Sequence, residues 1–230
     1  MGDTFAGEPA VEVVAVRVGL PRVVGQVRGE PVESGIAKAP VAAPRLALTR
    51  TNLAGDRQAD LTVHGGPDKA VYVYPSEHYP GWRRAGFALA PGGVGENMVL
   101  RGATEHDVRI GDVWRWGDAV VQVSQPRAPC FKLALHVGRR GAGRRMIETG
   151  HCGWYLRVLE PGAVPTRGPL ALDERDDAAP SVHEAFAAMF PGAAPVDPRN
   201  ATPVERVLAA PALAAAWREP LLARRPGARR

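Results

Sequence analysis

A cysteine between two prolines, an arginine and a lysine is the sharpest chemical signal in the sequence. It lies in the segment Ser124-Gln125-Pro126-Arg127-Ala128-Pro129-Cys130-Phe131-Lys132-Leu133. We predict that a strand ends at the first residue of this segment and that a helix covers residues 131–137, with Pro129 in its first turn. Cys130 would then lie near the helix N-terminus, where the helix dipole and the cations Arg127 and Lys132 favour the thiolate and lower the pKa of the thiol. A thiolate suits a soft metal or an electrophilic sulfur.

The alternative for Cys130 is the usual role of a lone cysteine, that of a small buried hydrophobe. The second cysteine, Cys152, lacks such neighbours and is expected to be structural. Zinc is not expected, although Asp60 and His64 are a conceivable pair of ligands, because the sequence has no His-Glu-x-x-His or Cys-x-x-Cys pattern.

Two further blocks combine glycines with polar residues. They are Gly55-Asp56-Arg57-Gln58-Ala59-Asp60-Leu61-Thr62-Val63-His64-Gly65-Gly66-Pro67-Asp68-Lys69-Ala70 and Gly95-Glu96-Asn97. The backbone at Gly65 and Gly66 can approach a ligand closely and present amide donors to an anion. A tight loop with a surface histidine is the alternative.

Short strands must position these blocks. Runs rich in valine and aromatic residues predict strands at residues 11–18, 45–51, 70–74 and 152–159. Gly117-Asp118, between residues 112–116 and 119–124, indicates a hairpin. Residues 76–84 are expected to form a short helix with Ser76 as its N-cap. Many short strands without regular strand–helix alternation favour a closed or nearly closed β-barrel.

The character changes to alanine-rich and helical from about residue 176. Ser181-Val182-His183-Glu184 and Thr202-Pro203-Val204-Glu205 both match a capping box, and prolines divide the segment into three short helices. We therefore predict a mainly β fold with helices. Its parts would be a barrel domain over residues 1–172, a three-helix domain over residues 173–222 and a basic disordered tail over residues 223–230.

Composition narrows the classes of partner. The formal net charge of the 230 residues is +5, but the last ten residues hold four arginines and no acid, so the rest of the chain is close to neutral. Nucleic-acid binding is therefore not expected. No apolar run approaches the ~18 residues that span a bilayer, Met1–Pro9 lacks signal-peptide features, and two cysteines make no disulfide framework. We expect a cytoplasmic protein that is not inserted in a membrane.

These motifs resemble the MOSC family, named after the C-terminal domain of molybdenum cofactor sulfurase, and are most similar to its stand-alone, YiiM-like bacterial branch. The resemblance spans roughly residues 11–220. It is carried by Ser34-Gly35-Ile36-Ala37-Lys38-Ala39-Pro40-Val41, the block at residues 55–70, Gly95-Glu96-Asn97, the cysteine segment and Gly153-Trp154-Tyr155-Leu156-Arg157-Val158. It implies a closed MOSC-type β-barrel, followed by the three-helix domain of that branch.

The resemblance further implies a molybdenum cofactor, a pterin with a dithiolene and a phosphate, and that Cys130 ligates molybdenum or carries sulfur. Cations and backbone amides would hold the phosphate and pterin, and amide side chains would match the mixed pterin edge. Glu96 and Asp60 are candidates for proton delivery or for positioning. The expected cofactor-binding residues are Lys38, Arg57, His64, Gly65, Gly66, Lys69, Asn97, Ser124, Gln125, Arg127 and Lys132.

Three functions follow as expectations. The first is a molybdenum-dependent reductase of small N-hydroxylated compounds, such as N-hydroxylated bases or amidoximes. Its electrons would come from a separate reductase, because the chain has neither a cysteine cluster nor a Gly-rich dinucleotide fingerprint. The second is a sulfur carrier with a persulfide on Cys130, and the third is a cofactor-binding protein without turnover. The oligomeric state is left open.

Overall fold

The computed structural model describes residues 11–60, 65–192 and 204–224. Short strands dominate this part of the chain, as the β-branched and aromatic runs predict. The strands are β1 (Glu12–Val18), β2 (Arg22–Val27), β3 (Glu30–Ser34), β4 (Ala39–Pro40), β5 (Arg45–Leu48), β6 (Val71–Pro75), β7 (Met98–Arg101), β8 (Val113–Trp116), β9 (Ala119–Pro126), β10 (Trp154–Glu160), β11 (Gly162–Pro165), β12 (Gly168–Pro169) and β13 (Ala171–Glu174).

Short helices connect and cover the strands. Two 3₁₀ turns, at Pro67–Lys69 and Ser76–His78, precede β6 and the first α-helix respectively. None of the described helices has the length and apolar character needed to cross a bilayer. The α-helices are α1 (Tyr79–Arg84), α2 (Phe131–Val137), α3 (Ala142–Thr149), α4 (Val182–Met189), α5 (Val204–Ala209) and α6 (Ala215–Ala223).

The main sheet is mixed and runs in the order β12-β1-β7-β6-β10-β9-β8-β13, with β4 attached to β1. Within it β6 and β7 are parallel, whereas β10 pairs antiparallel with both β6 and β9. Two small sheets, β5 with β11 and β2 with β3, complete the strand pairing of the described residues. The predicted mainly β fold with helices is confirmed.

One short segment joins the two ends of the main sheet. Its end strands β12 and β13 are separated in the chain by Leu170 alone, and they pair with β1 and β8 respectively. The Leu170 amide also donates to the carbonyl of Val11 at 2.9 Å. The predicted barrel is thus observed as a curled half-barrel whose two end strands are linked by residues 168–174.

Local predictions succeed where local chemistry decides the outcome. The two-residue turn at Gly117-Asp118 joins β8 to β9, with Trp116 opposite Ala119. Helix α2 has the predicted bounds, although Pro129 precedes its N-cap instead of entering its first turn. Ser76 begins a 3₁₀ turn and is not the N-cap of α1.

The strand predicted at residues 45–51 ends early, at Leu48. The Thr49 hydroxyl accepts a hydrogen bond from the Asn52 amide at 3.1 Å, and the Thr49 amide donates to the Asn52 carbonyl at 2.9 Å. These bonds close a turn, and hydroxyl groups of this kind compete with strand ladders for backbone partners.

The C-terminal helices and the sheet share one hydrophobic core. Phe186, Trp217 and Leu221 belong to the same buried cluster as the strand residues Val121 and Val123. The capping box predicted at residues 181–184 is present at the start of α4, whereas the one predicted at residues 202–205 begins outside the described residues. The domain boundaries proposed from the sequence stay a prediction, as does the tail, most of which lies outside the described ranges.

Candidate functional site

A cavity of about 230 Å³ lies where the polar blocks of the sequence converge. Its wall is formed by the loop after β3, by residues 57–59 with Gly65 and Lys69, and by the segment from Gln125 to Lys132. Strands β6 and β10 contribute Tyr72 and Tyr155. Gly95 and Asn97 also line the cavity, so five separate stretches of the chain meet at one site.

The described lining of the cavity is strongly cationic. Five of its residues carry positive side chains and none is an aspartate or a glutamate. Such a lining favours an anion, because its cations outnumber the carboxylates behind the wall, of which Asp56 pairs with Lys38. The five residues are Lys38, Arg57, Lys69, Arg127 and Lys132.

Cys130 lies at the edge of this cavity as the N-cap of α2. Its backbone is extended, with φ −123° and ψ 163°, and the residue is half-buried. Cys152 differs sharply, since it is fully buried and burial raises the pKa of its thiol well above the ordinary value. Of the two cysteines, Cys130 is therefore the one placed for chemistry.

Arg127 is a buried cation, with 5% of its surface exposed. Its guanidinium lies over the Tyr72 ring, 4.8 Å from the centroid, and donates a long hydrogen bond to the Tyr72 hydroxyl at 3.5 Å. Burial alone would lower the pKa of Arg127, but the neighbouring Tyr72, Tyr155 and Cys130 raise it by more than burial lowers it. The net shift of the pKa is upward, so the side chain stays charged. In the described part of the chain no carboxylate lies within 4.0 Å of it.

Two tyrosines in the cavity wall were missed by the sequence reasoning. Tyr72 and Tyr155 are direct partners in the β6–β10 pairing, and their rings lie 5.3 Å apart. Strand register brings them together, and one sequence without a known register carries no signal for that pairing. Aromatic faces of this kind can stack on a planar ligand.

Two amide side chains leave acceptor oxygens buried without a partner. Gln125 Oε1 and Gln58 Oε1 make no hydrogen bond within the described structure, and both residues line the cavity. Buried polar atoms are nearly always bonded in folded proteins, so these oxygens indicate a ligand that donates N–H or O–H groups. The sequence predicts Gln125 as a site residue but does not distinguish Gln58 from the other members of the block at residues 55–70.

Asn97 also lines the cavity, but its amide is already used. Its Oδ1 accepts from the Tyr72 amide at 3.2 Å, and its Nδ2 donates to the Arg17 carbonyl at 3.2 Å. The side chain ties β1 to β6 and so shapes the wall.

Lys38 is held by a buried ion pair. Its Nζ lies 2.5 Å from Asp56 Oδ1, and the two side chains are 7% and 0% exposed. Burial lowers the pKa of Lys38, although Asp56 opposes that shift. Burial likewise lowers the pKa of the half-exposed Lys69, against the opposing effect of Asp68.

Four predicted site residues do not line the cavity: Asp60, Gly66, Glu96 and Ser124. Glu96 is fully buried and accepts hydrogen bonds from the Tyr79 hydroxyl and the Gly92 amide, and burial raises its pKa. These bonds give Glu96 a bracing role in place of a contact with the cavity. His64 lies outside the described residues.

Ser124 is also fully buried. Its hydroxyl donates to the Asp68 carbonyl at 2.6 Å and lies 3.1 Å from the Tyr155 carbonyl. It therefore braces the wall from behind. The backbone of Gly65, which does line the cavity, and of Gly66 adopts φ of +80° and +89°, the left-handed region that favours glycine.

The chain is similar in sequence to a known domain family and to known proteins. A sequence profile described as the MOSC domain matches residues 60–167. The uncharacterized protein YflK of Bacillus subtilis is 43% identical over 207 residues, which cover 90% of both chains. A protein of Gibberella moniliformis named Reductase is 38% identical over 130 residues, 54% of this chain and 23% of that protein.

A solved structure gives the same result for the fold. The crystal structure of YiiM from Geobacillus stearothermophilus superposes with a TM-score of 0.73 at 35% identity, covering 92% of this chain and 97% of that one. Since the YflK match runs almost end to end and the domain match includes the cysteine segment, the chain belongs to the MOSC domain family.

Proposed function

We propose that this protein binds the molybdenum cofactor in the cation-lined cavity, with the Cys130 thiolate as the protein ligand of the metal, and that it reduces small N-hydroxylated compounds. The observation that carries the proposal is the placement of Cys130 on a wall with five cations and no described carboxylate. That wall suits a thiolate and an anionic ligand together, because cations stabilise both.

The residues fit the chemical parts of this cofactor. Its phosphate is matched by cations such as Arg127 and Lys132, which have no carboxylate partner among the described residues. The N–H groups of its pterin are matched by the oxygens of Gln58 and Gln125 that make no hydrogen bond in the same part of the chain. No group of three or more His, Cys, Asp or Glu side chains in the described ranges is placed to hold a metal. A metal beside Cys130 would therefore take its other ligands from a small molecule, as the dithiolene of this cofactor provides.

When bound, the cofactor would supply a two-electron metal centre that accepts the oxygen of an N–OH group. The chain's own residues would hold and orient the reactants. Arg127 and Lys132 keep the Cys130 sulfur in an electropositive setting, and the rings of Tyr72 and Tyr155 offer faces to a planar substrate.

Release of an amine and water needs a proton donor near the reacting atoms. Lys69 lines the cavity, and its lowered pKa makes the ammonium a better donor than an ordinary lysine. Asp60 stays a candidate from the sequence, since it directly follows the cavity residue Ala59.

The electrons would come from a separate protein. Two cysteines in the whole sequence are too few for an iron–sulfur cluster. The fungal relative named Reductase matches over 23% of its own length, so most of that protein lies outside the match. Its name supports a redox role for this chain.

The test is analysis of the protein purified from a host that makes the cofactor. Wild type is compared with Cys130→Ser, and Cys152→Ala serves as the matched control because that cysteine is buried away from the cavity. We expect molybdenum and pterin in the wild type and the control, with anaerobic turnover of an aryl amidoxime under a chemical reductant. Equal rates for Cys130→Ser and wild type would overturn the mechanism.

A sulfur carrier is the second candidate, because a half-buried thiol at a cation-rich wall also suits a persulfide. Incubation with a cysteine desulfurase and cysteine, followed by mass spectrometry, distinguishes the two. Added sulfur on Cys130 in wild type, together with no turnover by cofactor-loaded protein, would favour the carrier. A loaded protein with neither property would be a cofactor-binding protein only.

A further inference from the structure

We infer that Arg157 is a positioning residue that ties the C-terminal helices to the cavity wall carrying Lys69. Arg157 lies on β10 and uses its whole guanidinium. Its Nε donates to Asp68 Oδ1 at 2.8 Å, its Nη1 to Gln122 Oε1 at 3.1 Å and its Nη2 to the Ala212 carbonyl at 2.8 Å. A planar fork with donors in three directions can join three elements in this way, and the point charge of a lysine cannot.

The first of these bonds fixes the turn that presents Lys69. Asp68 and Lys69 are consecutive in the 3₁₀ turn Pro67–Lys69. The Asp68 carbonyl accepts from Ser124 Oγ at 2.6 Å, so Asp68 is held through both its backbone and its side chain. The Lys69 amide closes the turn onto the Gly66 carbonyl at 3.0 Å.

The third bond reaches the connector between α5 and α6. Ala212 lies in that connector, and two residues later the Ala214 amide donates to the Ser124 carbonyl at 3.0 Å. The side chains of Arg157 and Ser124 both bond to Asp68. Both residues also bond to the connector between α5 and α6. The helices therefore support the cavity wall from outside.

Loss of the Arg157 side chain should affect the turn at residues 67–69 and not the stability of the whole fold. The Arg157 and Asp68 side chains are 21% and 37% exposed, and ion pairs at such exposure contribute little to overall stability. Loss of Arg157 should loosen the turn and displace the Lys69 ammonium while the core stays folded. The inference about geometry stands on contacts alone, and its effect on ligand binding rests on the proposed function.

The test is hydrogen exchange of the Lys69 and Ala70 amides in Arg157→Gln. We expect both amides to exchange on the order of tenfold faster, with the midpoint of thermal unfolding nearly unchanged. Arg115→Gln is the matched control, because it removes an exposed arginine that pairs with Asp173 at 2.7 Å, away from the turn. Unchanged exchange in Arg157→Gln would overturn the inference.

Binding of inorganic phosphate gives a second readout. We expect the dissociation constant to rise roughly threefold to tenfold in Arg157→Gln, to recover in part in Arg157→Lys, and to stay constant in the Arg115 control. Asp68→Asn should reproduce the exchange effect and add nothing in the double variant; full additivity would show that Arg157 acts elsewhere. If wild type fails to bind phosphate, the proposed function is at fault, while the exchange result still decides the role of Arg157.

Discussion

Replacing Arg127 with methionine should make the ligand-free protein more stable and its cavity less able to bind an anion. The side chain is almost fully buried. Its contacts include two long ones, 3.5 Å to the Tyr72 hydroxyl and 3.7 Å to the Met146 sulfur. No carboxylate in the described ranges lies within ion-pair distance. The cost of desolvating the charge is therefore offset by Tyr72, Tyr155 and Cys130 and not by a carboxylate partner among the described residues.

The expected change in the free energy of unfolding is the balance of one cost and two gains. Desolvation of a buried ion costs several kcal/mol, the contact with the Tyr72 ring returns about 0.5 to 2 kcal/mol, and long hydrogen bonds return about 1 kcal/mol at most. Methionine keeps much of the apolar contact and adapts to the space. We expect a net gain of about 2 kcal/mol, which for a chain of this length raises Tm by roughly 4 to 8 °C.

The assay is urea and thermal unfolding of protein prepared without cofactor, with phosphate affinity measured in parallel. Arg115→Met is the control, since its ion pair is exposed and should change stability by less than about 0.5 kcal/mol. A loss of more than about 1 kcal/mol in Arg127→Met would refute the reasoning, because it would show that the guanidinium is well compensated.

Three further substitutions test other parts of the structure. Burial and nearby cations lower the pKa of His151 to about 4. As the pH falls from about 6.5 towards 4, His151 binds a proton in the unfolded chain but not in the folded protein, so the folded protein loses stability. Wild type should therefore lose more stability than His151→Phe when the pH is lowered from 7 to 5. After allowance for the partial exposure of His151, we expect a difference of about 1 kcal/mol in the free energy of unfolding by urea. Gly153→Ala should cost at least about 3 kcal/mol in thermal unfolding, because φ is +65° and the new Cβ would lie 2.2 Å from the Val73 carbonyl. Lys38→Met should cost about 3 to 5 kcal/mol by leaving Asp56 charged and buried, and a second change to leucine at Asp56 should restore most of it.

Each of these three has a contrary result. An unchanged pH dependence in His151→Phe would show that another group titrates. A Gly153→Ala protein with wild-type Tm would mean that the backbone relaxes easily. Additive effects of the two changes at the Lys38 pair would show that the residues do not act together.

The sequence predicts the local elements around the site well, because local chemistry decides them. The Gly117-Asp118 hairpin and the bounds of α2 depend on a few adjacent residues. The position of Cys130 at the N-cap follows directly from that helix boundary. The prediction of a cation-rich wall beside the thiol needed only neighbours in sequence, namely Arg127 and Lys132.

What the sequence does not predict is which member of a motif faces the cavity. Successive residues of a strand point to opposite sides. Ser124 therefore braces the wall from behind while Gln125 lines the cavity. Both were expected to contact the cofactor because both lie in one motif. Glu96 and Asn97 divide in a related way, since only Asn97 lines the cavity.

Some polar side chains of the lining are bonded to other side chains or to the backbone and so build the cavity. Others of the same chemical type lack a carboxylate partner or leave an oxygen unbonded in the described structure and can bind a ligand. Lys38 and Arg127 are both buried cations of the lining, yet only Lys38 has a carboxylate partner in the described structure. Asn97 and Gln125 differ in the same way, because only Gln125 leaves a buried oxygen without a partner. A core selected for stability alone would not keep such groups, since each is unfavourable until a ligand meets it. Arg127, which has no carboxylate partner in the described residues, and the Gln125 oxygen line the same cavity as Cys130 and are therefore the part of the wall that a bound anion with N–H donors would stabilise.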